Sequence, residues 1–136
     1  MSTTVLPAIT PSDFLGRGIF QSNQARSIIP TTVFREKINV DRLSVDRLDL
    51  ASNAEMAEIA DRVAAGRGPS RNFYGWAVVS VAVAERDGRT VEATPLLDDP
   101  YHADIVLNLP VDADRTDAAI QHAQSLARHA HFRSRP

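Results

Sequence analysis

The stretch FYGWAVVSVAVAERDGRTVEATPLL, residues 73–97, decides the predicted fold. Its first half, residues 73–85, is rich in valine and aromatic residues and is typical of a long strand. Asp87-Gly88 is a strong two-residue hairpin signal, so a partner strand is predicted over residues 89–97.

Pairing around this turn places the small residues of both strands on one face. Ala84 lies opposite Val91, and Ala82 lies opposite Ala93. Because small apolar side chains allow close approach, this face is predicted to carry a tightly packed helix.

Two amphipathic helices are predicted around the hairpin. The first begins at Ser52, which forms a capping box with Glu55, carries an apolar stripe and is predicted to end at Gly66 as the terminating glycine. The second covers residues 112–130. Two further strands are predicted near residues 38–45 and over residues 104–109.

These elements predict the α+β class, because strands and helices do not alternate strictly. The expected architecture is a small curved, mainly antiparallel sheet with two amphipathic helices packed on one face and an irregular N-terminal third. Residues 1–136 are expected to form a single domain, in which residues 1–37 are irregular and residues 131–136 form a flexible tail.

Composition excludes several classes of function. With no cysteine, the chain cannot form disulfides, use a thiolate in catalysis or build sulfur-ligated metal sites, and no metal or cofactor is predicted. The net charge of −2 argues against a general nucleic-acid coat protein. No apolar run approaches the roughly 18 residues of a membrane span, and no secretion signal begins the chain, so a cytoplasmic location without membrane contact is expected.

His102 and Asp104 are the candidate catalytic residues. They are two positions apart before and within a predicted strand, so they share one face of an extended chain. A carboxylate can orient an imidazole for acid–base catalysis. The alternative is a loop histidine at a strand start and an aspartate that closes a turn.

Arg42, Ser44 and Arg47 form a second candidate group, for binding an anionic ligand. Alternation places Arg42, Ser44 and Asp46 on one face of a strand, where an arginine and a serine can hold a phosphate. The alternative is a surface network of ion pairs.

Arg17 lies between two glycines, where the backbone can approach a ligand closely and the guanidinium can clamp an anion. Asn23 and Arg26 follow closely and could extend the same ligand-binding pocket. The alternative is a glycine turn with an exposed arginine.

Four short segments together resemble a pattern found in small bacterial proteins without an assigned function. They are Arg17-Gly18-Ile19, Ile29-Pro30 with Val33-Phe34, Leu43-Ser44-Val45-Asp46-Arg47 and His102-Ala103-Asp104-Ile105. The resemblance implies that the polar positions of these segments act together in one groove.

The leading functional hypothesis is a binding or accessory subunit of a larger bacterial assembly or operon-encoded system, with a protein partner or self-association. It rests on the absence of a recognisable nucleophile, metal motif or phosphate loop. The alternative is an enzyme for a phosphate-bearing substrate, a nucleotide or RNA, with arginines as anion clamps and His102 with Asp104 as the acid–base pair. A second alternative is a nucleic-acid-binding module that uses residues 67–71 and the C-terminal tail.

Overall fold

One six-stranded antiparallel sheet organises the protein. The computed structural model describes residues 6–35, 41–68, 72–111 and 115–136. The strands are β1 (Phe14–Ile19), β2 (Arg42–Arg47), β3 (Gly75–Ser80), β4 (Thr90–Ala93), β5 (His102–Val106) and β6 (His131–Ser134), and the helices are α1 (Asn53–Arg67), α2 (Val81–Ala84) and α3 (Arg115–His129). In space the strands follow the order β4-β5-β2-β1-β3-β6. The structure confirms the predicted α+β class with a curved, antiparallel sheet.

Helix α1 confirms the predicted capping signal. Ser52 Oγ accepts a hydrogen bond from the backbone N–H of Glu55 at 3.1 Å, which satisfies one of the free donors at the helix start. The helix continues through Gly66 and ends at Arg67, where Gly68 adopts a φ of 128°. The terminating glycine is therefore Gly68 rather than Gly66.

The predicted hairpin around Asp87-Gly88 is wrong. Strand β3 ends at Ser80, because the Ser80 hydroxyl caps the short helix α2 by accepting from the N–H of Val83 at 3.2 Å. Helix α2 leaves Ala82 exposed and Ala84 buried. The chain then crosses to the opposite edge of the sheet, where β4 pairs with β5 instead of β3.

Both ends of the chain contribute strands that the sequence pattern did not predict. The N-terminal third contains β1, which lies between β2 and β3 near the centre of the sheet. The predicted flexible tail instead forms β6, an edge strand that pairs with β3 from Gly75↔Ser134 to Val78↔His131. Predicted strand positions 38–40 and helix positions 112–114 lie outside the described residues.

The two long helices lie on opposite faces of the sheet, not on one face as predicted. Helix α1 belongs to a core cluster with Trp76 and Val78, whereas α3 belongs to a second cluster with Ala77 and Val79. Alternate residues of a strand point to opposite faces, so β3 is covered on both sides. Continuous burial from Gly75 to Val79 agrees with this arrangement.

Candidate functional site

Helix α1 covers only the β1–β3 half of its sheet face and leaves the other half open. On the open half the cross-strand pairs are Asp46↔His102 and Ser44↔Asp104, and Asp104 also lies opposite Glu92. The intervening residues of β2 and β5 point to the other side, into the core. A row of polar side chains therefore lies beside α1.

A cleft of about 420 Å³ runs between α1 and this polar row. We call it the carboxyl cleft; its lining includes Gly16, Asp46, Arg62, Trp76, Asp99 and His102. The turn Leu96–Asp99 forms the wall opposite α1, and Arg62 Nη2 joins the two walls by donating to the Asp98 carbonyl oxygen at 3.1 Å. A Cβ at Gly16 would lie 2.9 Å from Trp76 Cδ1, so glycine lets the indole rest against β1.

Asp46 and Asp99 form a carboxyl pair in this cleft. Asp99 is 5% exposed, and its Oδ1 accepts from the N–H of Tyr101 at 3.2 Å. Burial first, then the hydrogen bond to Asp99 and the negative charge of that residue, raise the pKa of Asp46 to about 9. Asp46 therefore carries a proton at neutral pH and can donate it.

Trp76, which lines the same cleft, carries a buried side-chain donor without a partner. Its side chain is fully buried and packs edge-on against Phe73, with ring centroids 4.8 Å apart. Among the described residues, Trp76 Nε1 and Asp46 Oδ1 are the buried side-chain polar atoms that lack a hydrogen-bond partner. Both residues line the carboxyl cleft.

His102 is held by Thr94 rather than by Asp104. Its Nδ1 lies 2.8 Å from Thr94 Oγ1 and 3.0 Å from the Thr94 carbonyl oxygen. Since a carbonyl oxygen only accepts, the contact with the Thr94 carbonyl oxygen requires a hydrogen on Nδ1, and in the neutral form of the ring the lone pair is then on Nε2. Asp104 instead pairs with Arg42 at 3.2 Å, and Arg42 also binds Glu92 at 2.8 Å.

Of the other residues predicted to bind a ligand, some line the carboxyl cleft and some lie outside it. Arg17 and Ser44 line the cleft, where the Arg17 guanidinium donates to the carbonyl oxygens of Val33 and Ser44. Arg47 is buried at a different pocket. Asn23 and Arg26 are exposed and belong to neither lining. Three predicted positions, Arg17, Ser44 and His102, thus meet in one cleft.

Two of the arginines suggested for nucleic-acid binding make contacts within the fold. Arg135 of the C-terminal tail binds the carboxylate of Asp61 through Nη1 and Nη2 at 2.9 and 3.0 Å, and its guanidinium lies 5.6 Å from the centre of the Phe73 ring. Arg67 stacks over Phe20 at 4.7 Å. Residues 69–71 lie outside the described residues.

Sequence reasoning did not select Asp99 or Trp76, and it named Asp46 without a role. Two signals were available: Asp46 alternates with Ser44 along β2, and Trp76 is the chain's one tryptophan. Comparisons with protein-family models, curated proteins and solved structures find no match. In the described part of the chain, no helix could cross a membrane and no group of three or more His, Asp or Glu could hold a metal ion.

Proposed function

We propose that the carboxyl cleft binds a small ligand that accepts a hydrogen bond from Trp76 Nε1 and contacts the Asp46 carboxyl group. The observation that carries this proposal is the buried indole N–H without a partner. An unsatisfied buried donor costs about 1–3 kcal/mol, and folded proteins rarely leave one. A ligand acceptor at this position would recover that cost on binding.

Charge around the cleft favours an anionic ligand. Arg17, Arg35, Arg62 and Arg67 line the cleft, against Asp98 and Asp99 and the protonated Asp46. Phosphate and carboxylate groups match the planar guanidinium fork. The ligand is therefore a small molecule with a phosphate or carboxylate group, as predicted for Arg17 and Ser44. The accessory-subunit role with a protein partner stays a prediction.

Calorimetric titration with pyrophosphate, AMP and citrate tests this binding. At least one of the three anions is expected to bind saturably, whereas the neutral polyol glucose is not. Arg67→Gln should weaken binding about tenfold, the value of one charge-assisted hydrogen bond, because Arg67 lies on the cleft wall. Arg26→Gln, at an exposed residue outside the cleft, is the matched control. Absence of saturable binding by all three anions would contradict the proposal.

A second candidate function, acid–base catalysis on the bound ligand, is favoured by the proton shared between Asp46 and Asp99. In hydrolysis of a phosphoanhydride, water attacks phosphorus and its proton passes to His102 Nε2. The bond from phosphorus to the leaving oxygen breaks, and Asp46 donates its proton to that oxygen. Return of a proton from His102 to Asp46 through solvent restores the site.

Release of phosphate from pyrophosphate tests this second function. Asp46→Asn and His102→Gln are each expected to lower the rate by about 100-fold, because each removes one proton-transfer group. Asp104→Asn is the control, since Asp104 is paired with Arg42. If pyrophosphate binds but no phosphate is released, the catalytic candidate is rejected and the binding proposal remains.

A further inference from the structure

A second cavity lies at the other side of His102. It has a volume of about 750 Å³, within the range of small-molecule sites. We call it the strap pocket, because the N-terminal segment 6–9 forms part of its lining. Its lining is mainly apolar and consists of Leu6, Pro7, Ala8, Ile9, Arg47, Ala93, Pro95, Pro100, Tyr101 and His102.

Arg47 places a positive charge in this apolar wall. The residue is 4% exposed, and its side chain makes one hydrogen bond within the described residues, from Nη2 to the Pro7 carbonyl oxygen. A guanidinium has five N–H donors, and a buried charge is unfavourable unless it is paired. No acidic residue is among the described residues that line the pocket. The Arg47 charge is thus without a counter-charge there.

We infer that the strap pocket binds an apolar molecule with a single carboxylate group, which pairs with Arg47. The carboxylate supplies the missing negative charge and matches the guanidinium fork in two parallel hydrogen bonds. The apolar part of the ligand lies along Leu6, Ile9 and Pro95, where it replaces water on the hydrophobic wall. This site goes beyond the proposed function: its lining includes neither Trp76 nor Asp46, and it shares only His102 with the carboxyl cleft.

Calorimetric titration of the whole chain with octanoate and with octanol tests the inference. The two probes share the alkyl chain and differ in charge. Octanoate is expected to bind saturably and about tenfold or more tightly than octanol, since a hydrogen bond to a charged group is worth at least that factor. Equal binding of the two probes, or no binding of octanoate, would overturn the inference.

Two variants locate the octanoate site. Arg47→Lys keeps the charge but loses the planar fork, so octanoate affinity should fall about tenfold, with Arg26→Lys as the exposed control. Trp76→Phe should leave octanoate affinity unchanged, because Trp76 does not line the strap pocket. Loss of octanoate binding in Trp76→Phe with retention in Arg47→Lys would assign the ligand to the carboxyl cleft. If Arg47→Lys does not fold, competition decides: octanoate that binds alongside an anion saturating the carboxyl cleft supports the inference, and octanoate that is displaced by that anion overturns it.

Discussion

Replacement of Arg89 by methionine is expected to lower the free energy of unfolding by about 2–5 kcal/mol, because the buried Ala84 carbonyl loses its side-chain donor and the partly buried Val83 carbonyl loses one of its donors. The Arg89 side chain is completely buried. Its Nε donates to the Ala84 carbonyl oxygen and its Nη2 to that of Val83, each at 2.9 Å. These carbonyls end helix α2, so Arg89 satisfies the C-terminal acceptors of that helix.

Arg89 also joins α2 to α3. Its Nη1 lies 3.0 Å from His122 Nδ1, which must accept because a guanidinium only donates. Burial, and then the charge of Arg89, lower the pKa of His122, so the ring stays neutral and keeps its lone pair on Nδ1. Methionine preserves much of the volume of arginine but none of these bonds.

Urea unfolding measures the effect of Arg89→Met. Arg86→Met is the control: Arg86 is exposed and contacts His129 at 3.1 Å on the surface, so a change within about 0.5 kcal/mol is expected there. A loss below about 1 kcal/mol in Arg89→Met, less than one buried unsatisfied group costs, would refute the role assigned to Arg89.

The second large effect concerns pH. The raised pKa of Asp46, about 9 in the folded chain, means that the folded state holds one proton more than the unfolded state between about pH 4 and pH 9. The contribution of Asp46 to the free energy of unfolding is fully present below about pH 4, the pKa of aspartate in the unfolded chain. It is lost as the pH rises through about 9, the pKa of Asp46 in the folded chain. The wild-type free energy of unfolding should fall by up to about 1.4 kcal/mol per pH unit.

Asp46→Asn should remove this pH dependence, since asparagine is neutral at every pH and can still donate to Asp99. Denaturant unfolding at pH 7, 8 and 9 compares the two proteins in a range where His122 is already neutral. Glu58→Gln, at an exposed position on α1, serves as the control and should keep the wild-type slope. If the free energy of unfolding depends on pH equally in wild type and Asp46→Asn, the Asp46 carboxyl is ionised at neutral pH and the prediction is wrong.

The sequence predicts correctly those parts of the fold that depend on residues close together in the chain. The capping box at Ser52 and the amphipathic stripe of α3 are of this kind, and both helices form. The sequence pattern predicts a strand over Val81–Ala84 because alternating valine and alanine fit a strand, whereas the helical start of this segment depends on one hydroxyl, that of Ser80. The incorrect hairpin prediction has the same cause. A strand that continued to the Asp87-Gly88 turn would pair with β4, whereas β4 pairs with β5.

The candidate site could be predicted only in part for a similar reason. Alternation along β2 correctly placed Ser44 and Asp46 on one polar face. Asp99 reaches Asp46 from a distant turn, and the unpartnered N–H of Trp76 results from packing between α1 and β3. Long-range contacts of this type leave no periodic signal in the sequence.

The indole N–H of Trp76 gives the most direct test of the carboxyl cleft. Because the chain has one tryptophan, a proton–nitrogen correlation spectrum shows one indole cross-peak. Addition of the anion that binds in calorimetry is predicted to move this proton downfield, as expected when a free N–H gains an acceptor. An indole cross-peak that stays in place while the anion saturates the protein would contradict the central claim that Trp76 and Asp46 form a ligand site.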